Sequence, residues 1–415
     1  MPRRTLPFSP WWLVVAAAIA MGSAGLYQFT WSSLRGPIGA LFGASETSLG
    51  TVFTLFIVFQ TVSQVPIGWV RDRYGPRWPL VGGGLCLAGG FALSAVASGV
   101  TAVYLAYCFG GIGAGTTYTV GINTAIKWFD ARRGLATGLI SSMYGAVSFL
   151  AIPLIREAVQ TDVRGTLLGL SVVAGVGVFI AVPVLRDPSR ADDGSDSEER
   201  TVEPTVRRDY DWRATLRTWQ FWLMYGVFVL ASGVSLMVVG KAVSFATQFG
   251  FSAATATGSA SLIALADATG IFVSGTLSDR FGRETTSAVS LVCSGLALAG
   301  AVLAAEAGVG IAVIAALAAM VFLRSPVFSV FPPLVGDYFG PRRSSTNFAL
   351  LYSAKLWSGV GGGIVASSLI GSVGWSATFL GGAALVVLAG LATFFLRPTE
   401  PNVADGPNRH TEGEL

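Results

Sequence analysis

Charge is scarce in this chain. Only 12% of its 415 residues are Asp, Glu, Lys or Arg, against about 25% in a soluble domain. Histidine is nearly missing: the single His410 sits in the polar C-terminal stretch. That argues against histidine acid–base catalysis and leaves a metal site without its commonest ligand, so no metal, no cofactor and no enzymatic activity are expected. Cysteine is limited to Cys86, Cys108 and Cys293, all inside apolar runs and without ligand spacing, as small core residues would be. No G-x-x-x-x-G-K-[ST] phosphate loop occurs, so any transport is expected to draw on gradients rather than ATP. The pI is near 9.1, yet no Lys/Arg block is long enough to track a phosphate backbone, which excludes nucleic acid as a partner.

What is abundant is apolar surface. Hydrophobic residues make up 52% of the chain and the mean hydropathy is +0.63. About 20 apolar residues cross a bilayer as a helix. On that ruler twelve spans are expected, near 11–38, 47–69, 79–98, 102–128, 134–157, 165–186, 219–248, 253–276, 285–305, 309–337, 344–370 and 375–396. The fold class is therefore an all-α membrane protein in two six-helix bundles. Its expected parts are an N-terminus (1–10), a first bundle (11–186), a linker (187–217), a second bundle (218–397) and a tail (398–415). Arg3-Arg4 before the first run resembles a secretory signal. The run from Trp11 to Trp31 is too long for one and reads as a retained helix.

With the N-terminus inside, 21 of the 27 Lys/Arg residues fall in cytoplasmic segments and only Arg35, Arg156 and Arg164 fall outside. That asymmetry places both termini in the cytoplasm of a multi-pass cell-membrane protein. The linker carries Asp192-Asp193-Gly194-Ser195-Asp196-Ser197-Glu198-Glu199-Arg200, too polar to build a core, and reads as disordered, as does the tail. Trp212 to Trp219 reads as a short amphipathic helix at the surface. Two glycine clusters, Gly110 to Gly115 and Gly359 to Gly363, occupy corresponding places in the two halves, where small residues let helices approach closely.

One loop occurs twice. Gly68, Arg71, Asp72, Arg73, Gly75 and Arg77 stand in the first copy, and Gly275, Asp279, Arg280, Gly282 and Arg283 in the second. The offset is 207 residues, and Phe129-Asp130-Ala131-Arg132-Arg133 returns as Phe339-Gly340-Pro341-Arg342-Arg343 at 210. Two halves thus share one plan. The glycines give tight turns. The aspartates are placed to accept hydrogen bonds from a helix N-terminus, and the arginines to pair across the inner face as a gate.

This doubled loop, with twelve spans and a central polar linker, resembles the major facilitator superfamily. The resemblance implies two bundles that rock about a midplane site. A drug/proton antiporter would carry a Gly-Pro motif in the fifth span, which Gly145-Ala146-Val147 does not supply.

Charged side chains within a span are costly, about 2.5–3.5 kcal/mol at the bilayer centre on insertion scales, and mark function. Asp267, Arg324 and Lys355 lie near the middle of the eighth, tenth and eleventh spans; Lys241 lies in the outer half of the seventh. One acid against two bases leaves a surplus of positive charge, the signature of an anion site. Asp267 is placed either to hold Arg324 in the empty site or to carry a coupled proton. The bland alternative is a buried ion network that only locks helices together. Gln28, Phe29, Tyr118, Tyr144, Phe328 and Tyr352 are the polar and aromatic company expected around a small substrate.

These stretches resemble the oxalate/formate antiporter family and, more distantly, monocarboxylate transporters. They include Tyr118 to Arg133, Gly134 to Gly145, Thr218-Trp219-Gln220-Phe221-Trp222 and Ala354-Lys355. The resemblance implies that Lys355, Tyr118 and Tyr144 line the site, that Phe29 and Phe328 replace tyrosines, and that Arg324 replaces a tryptophan. The family arginine of the eighth span is Ile271 here, so the cation has moved to the tenth span. The expected function is secondary transport of a small carboxylate, by exchange or by proton symport, in a monomer that touches only lipid. The alternatives are a neutral or cationic solute held by Asp267, and a non-transporting membrane sensor.

Overall fold

The computed structural model describes residues 9–129, 133–187, 210–340 and 344–399, and these are helical with no strand among them. The first half comprises α1 (Trp11–Phe42), α2 (Glu46–Val62), α3 (Gln64–Tyr74), α4 (Arg77–Ala95), α5 (Val100–Trp128), α6 (Arg133–Thr161) and α7 (Val163–Ala181). A short α8 (Trp212–Leu216) leads into the second half, as the sequence suggested for a surface helix. There α9 (Trp219–Gln248), α10 (Ala253–Phe281) and α11 (Arg283–Glu306) are continuous. The tenth span is divided into α12 (Gly310–Leu323), α13 (Pro326–Ser329) and α14 (Phe331–Phe339). The eleventh is divided into α15 (Ser344–Tyr352), α16 (Ala354–Val360), a π turn (Gly361–Val365) and α17 (Ala366–Val373). α18 (Trp375–Thr393) is the twelfth.

Among the described residues eleven helical segments are long and apolar enough to cross a membrane; α5, with 29 residues, completes twelve. The molecule is an all-α membrane protein of two six-helix bundles. Most of the linker (188–209) and of the tail (400–415), the first eight residues, and Asp130, Ala131, Arg132, Pro341, Arg342 and Arg343 lie outside the described residues. The expectation of disorder for linker and tail falls on those stretches and so lies outside the described residues.

Each bundle is closed by small residues. A Cβ on Gly25 would fall 2.7 Å from the carbonyl carbon of Tyr144 and nearer still to its oxygen, so α1 and α6 meet backbone to backbone. Gly111 and Gly115 do the same for α5 against α2, and Gly90 and Gly110 leave room for the ring of Tyr27. The second cluster serves a different contact. Gly359 meets Ile57 and Gly363 meets Thr54 and Gly50, so these glycines press α16 and the π turn against the other half. The halves also meet along α6 and α10 and along α1 and α9.

Two spans are interrupted at mid-membrane for identifiable reasons. Pro326 lacks an N–H and its ring would strike the carbonyl of residue 322 in a continuing helix. The chain therefore breaks at Arg324, and the Phe322 carbonyl accepts instead from the Ser325 N–H (3.3 Å). In the eleventh span the hydroxyl of Thr54, from the first half, enters the helical ladder. It donates to the Gly359 carbonyl (3.0 Å) and accepts from the Ile364 N–H (2.9 Å). A π turn needs such a substitute partner, and here it comes from across the interface.

The doubled loop places its second glycine alike in both copies. Gly75 (φ 79°) and Gly282 (φ 84°) adopt the positive φ that only glycine takes without strain. Gly68 and Gly275 lie within helices, where no close neighbour demands glycine.

A prediction separates packing glycines from idle ones. Gly25→Ala should lower the thermal midpoint of the detergent-solubilised protein, an overpacking cost of about 1–3 kcal/mol. Gly300→Ala, with nothing within 4 Å of the added methyl, should leave it unchanged or raise it. Equal midpoints for the two variants would show that the α1–α6 contact is loose.

Candidate functional site

The three charges singled out within the spans converge. Asp267 of α10, Arg324 at the end of α12 and Lys355 of α16 line one cavity of about 80 Å³ between the halves. All three are buried, at 6%, 4% and 7% exposure. An Arg324 Nη donates to the Asp267 carboxylate, so this pair is already neutralised. Its guanidinium also lies over the Phe328 ring, 4.6 Å from the centroid. Arg324 Nε is buried with no partner, so the fork is only partly used.

Lys355 is differently placed. Its Nζ is 3.4 Å from the Tyr352 hydroxyl and 5.7 Å from the centre of that ring. Among the described residues no carboxylate pairs with it. With all three groups ionised the cavity carries one positive charge that protein does not balance. The break at Arg324 has an electrostatic side too. It leaves a side chain that needs room and partners at the one point of the tenth span where the backbone departs from a straight helix.

The first half supplies the uncharged wall: Gln28, Tyr118, Ser141 and Tyr144. The Tyr144 hydroxyl is fixed from two sides, donating to Gln28 Oε1 (3.2 Å) and accepting from Gln60 Nε2 (2.7 Å). The Tyr118 and Tyr144 rings meet edge to face at 6.5 Å. From the second half Ser232, Ser235, Leu236, Ile271, Phe328 and Tyr352 complete the lining. Ile271, where the resembling family has arginine, thus faces the same space as Arg324.

Seven of the eight residues expected to bind substrate line this cavity. The exception is Phe29. It is buried behind the wall, its ring edge-on to Tyr144 at 5.9 Å, and positions that tyrosine rather than facing the space. Sequence reasoning missed Gln60, Ser141, Ser232 and Ser235. The available signal was polarity at helical spacing: Ser232 and Ser235 are three apart on α9, and Gln60 opens the polar run Gln60, Thr61, Ser63, Gln64 after an apolar stretch.

The arginines of the doubled loop have several kinds of partner among the described residues. Arg71 is fully buried and donates to Asp187 (2.9 Å) and to Thr124 Oγ1 (3.5 Å), both of the first half. Arg283 pairs with Asp337 within the second half. Arg73 stacks on Trp69 and Tyr74, Arg77 reaches the Pro183 carbonyl (3.5 Å) and Arg280 is exposed. The two ion pairs each tie the doubled loop to its own half. The halves meet where α2 packs against the π turn and α17. The side chains of Asp72 and Asp279 lie outside the described residues.

Arg35 also departs from its expected place. Arg35 is no loop charge. It is buried inside α1, donating to Glu46 (2.5 Å) and to Ser244 (3.0 Å). Lys241 does not reach toward a lipid surface. It is buried between the halves, donating to Glu46 (3.1 Å) and to Ser367 (2.5 Å).

Two helix bundles around a charged cavity between them are the architecture of a membrane transporter. The chain belongs to the Major Facilitator Superfamily, whose model matches residues 13–258 and 236–414. It is 28% identical to the oxalate:formate antiporter of Oxalobacter formigenes, over 96% of this chain and 95% of that one. Monocarboxylate transporter 9 of Gallus gallus is 34% identical over 21% of this chain and 18% of its own length. The fold matches the inward-open xylose transporter XylE from E. coli at a TM-score of 0.76 and 12% identity, covering 95% and 98% of the two chains.

A thermodynamic cycle tests the ion pair. Arg324→Gln should destabilise the protein by about 3–5 kcal/mol by leaving a buried carboxylate alone. Adding Asp267→Asn should recover most of that loss. Thermal unfolding of the two single variants and the double variant measures the coupling; strictly additive losses would mean the two side chains do not act as a pair.

Proposed function

We propose that this protein is a secondary transporter of a small organic carboxylate, working by alternating access as an antiporter or a proton symporter. The observation that carries the reading is Lys355, a buried cation with no carboxylate partner among the described residues, in a cavity already containing one neutralised pair. A buried charge is tolerated only when paired, and a substrate carboxylate is the counter-ion this geometry accommodates. Arg324 adds unused donors beside it, and arginine offers a carboxylate a planar fork where lysine offers a point charge. The two lie on different helices, so one anion bridging them would join the tenth and eleventh spans.

Cavity size supports the same class. Drug-sized ligands occupy about 300–1,000 Å³; this space is several-fold smaller and suits an anion of a few heavy atoms, such as oxalate, formate or another short monocarboxylate. The likeness to the oxalate:formate antiporter agrees with it. The shift of the cation from position 271 to Arg324 keeps one arginine and one lysine at the site and changes their geometry. Asp267 holds Arg324 while the site is empty and releases it, or takes up a coupled proton, when substrate arrives. A neutral or cationic solute finds less here, since the one carboxylate is already engaged by Arg324.

In this reading residues 11–186 and 218–397 rock as bodies joined by the linker 187–217. The protein works as a monomer in the cell membrane with both termini inside, and the inner arginine pairs stiffen each half.

Uptake of radiolabelled oxalate, formate, lactate and acetate into proteoliposomes is the direct test. Wild type should exchange at least one of them. Lys355→Gln and Arg324→Gln should each cut transport by roughly 10- to 100-fold, the loss of one charge-assisted contact of about 1.5–3 kcal/mol. Normal transport by both variants would sink the site assignment. Asp267→Asn with an unchanged, pH-insensitive rate would remove the proton role.

A further inference from the structure

We propose a second anion site in this chain: Lys241, seated by Ser367 at the outer side, is the first contact for a carboxylate entering from outside, and Glu46 is its intramolecular stand-in. The proposal rests on the carboxylate reading above and adds to it a place on the entry path.

Five side chains meet at this point. Arg35 and Glu46 belong to the first half; Lys241, Ser244 and Ser367 belong to the second. Glu46 accepts from both Arg35 (2.5 Å) and Lys241 (3.1 Å), and its side chain is still partly exposed, at 30%. The two cations are only 1% and 2% exposed. Arg35 Nε is buried with no partner.

Consider what rocking does to these contacts. Opening the outer side separates the halves, so the Lys241–Glu46 and Arg35–Ser244 contacts break. The Arg35–Glu46 and Lys241–Ser367 contacts lie within one half each and persist. Glu46 therefore leaves with a cation of its own, and Lys241 is left without a counter-ion, aimed into the opened vestibule and held in place by a hydroxyl. A desolvated, positioned ammonium attracts an incoming carboxylate more strongly than a free surface lysine does.

Its position suits a relay. Lys241 is on α9, five residues beyond Leu236 of the central cavity. At 1.5 Å per residue that is roughly 7.5 Å outward along the helix. The Lys241 ammonium itself sits on Ser367, twelve residues or roughly 18 Å along the eleventh span from Lys355, so an anion held there still has the length of the π turn to travel. When the outer side closes again, Glu46 returns to Lys241 and competes with any anion still bound there, which drives it inward or out.

The alternative is a lock, in which the same ion pair only holds the outer side shut. The two ideas differ in sign. Right-side-out membrane vesicles, with whichever of radiolabelled oxalate or formate the wild type carries, give the external KM; inside-out vesicles give the internal one. For the proposed site Lys241→Gln raises the external KM about 10-fold or more, one charge-assisted contact, and leaves the internal KM within about twofold. Glu46→Gln lowers the external KM, because the competitor is gone. Lys241→Arg stays near wild type. For a lock alone both glutamine variants loosen closure and lower the external KM together. If Lys241→Gln is not recovered folded, Ser367→Ala carries the same sign test, since it unseats Lys241 without touching the pair across the interface. A shift of the Lys241 (or Ser367) variant in the same direction as Glu46→Gln, or no shift, overturns the proposal. A wild type that carries no carboxylate overturns the functional reading beneath it, which is a separate outcome.

Discussion

A charge surrounded by hydrocarbon must be paired, hydrated or put to use, and this protein is organised around that constraint. At its centre Asp267 and Arg324 neutralise one another. Such a pair is not a strong source of stability, because desolvating two ions costs nearly what their attraction returns. Its effect is to make the third charge conspicuous. Lys355 stands beside a closed account, and the helices around it are shaped to hold it there. The tenth span breaks at Arg324, the eleventh carries a π turn next to α16, and aromatic rings of Phe328 and Tyr352 face the two cations.

The same constraint governs the backbone. Inside a bilayer every N–H and C=O needs a partner, so a helix is interrupted only where something replaces the missing bond. At the π turn the replacement is Thr54 of the opposite half. A regular helix would need no such help, since Gly363 N–H would reach Gly359 and Ile364 N–H would reach Val360. Two ladder arrangements are thus available to the eleventh span, one with Thr54 inserted and one without. Loss of the outer contact costs little when the span can reclose its own ladder. That is the physical requirement for an interface that must part repeatedly: bonds strong enough to seal, each with a substitute when broken.

Much of this was legible in the sequence. Apolar length marked the spans, the doubled loop marked two halves, and the cost of charge in a membrane marked Asp267, Arg324 and Lys355 without any coordinate. The cavity brings those three together with Tyr118 and Tyr144. What was illegible followed from rotation about helix axes. Phe29 and Gln28 are neighbours in the chain, yet one faces the cavity and the other backs Tyr144. Gln60 was missed because its role lies in a hydrogen bond to a residue 84 positions away. Arg35 was misplaced for a related reason. Hydropathy sees a charge near a span end and sends it to the surface, whereas an inter-half contact at that depth can bury it against Glu46.

The two halves share a plan but divide the labour. The duplicated features are mechanical: turn glycines at Gly75 and Gly282, arginine pairs at the inner ends, and glycine clusters that set helix spacing. The charges of the cavity come from the second half alone, while the first contributes amides and hydroxyls, with Gln28, Gln60 and Tyr144 tied into one chain. An anion held by Lys355 and Arg324 would therefore travel with the second half, and the first would act as a polar lid. Neutral hydrogen bonds suit a lid because each exchanges with water at a net cost of about 1 kcal/mol. Had the cations been split between the halves, a bound anion would clamp them together, and each opening would have to break a charged contact. Placing all three charges on one side of the interface keeps recognition strong and leaves the moving surface weakly bound, so the asymmetry of the site is what lets a symmetric machine turn over.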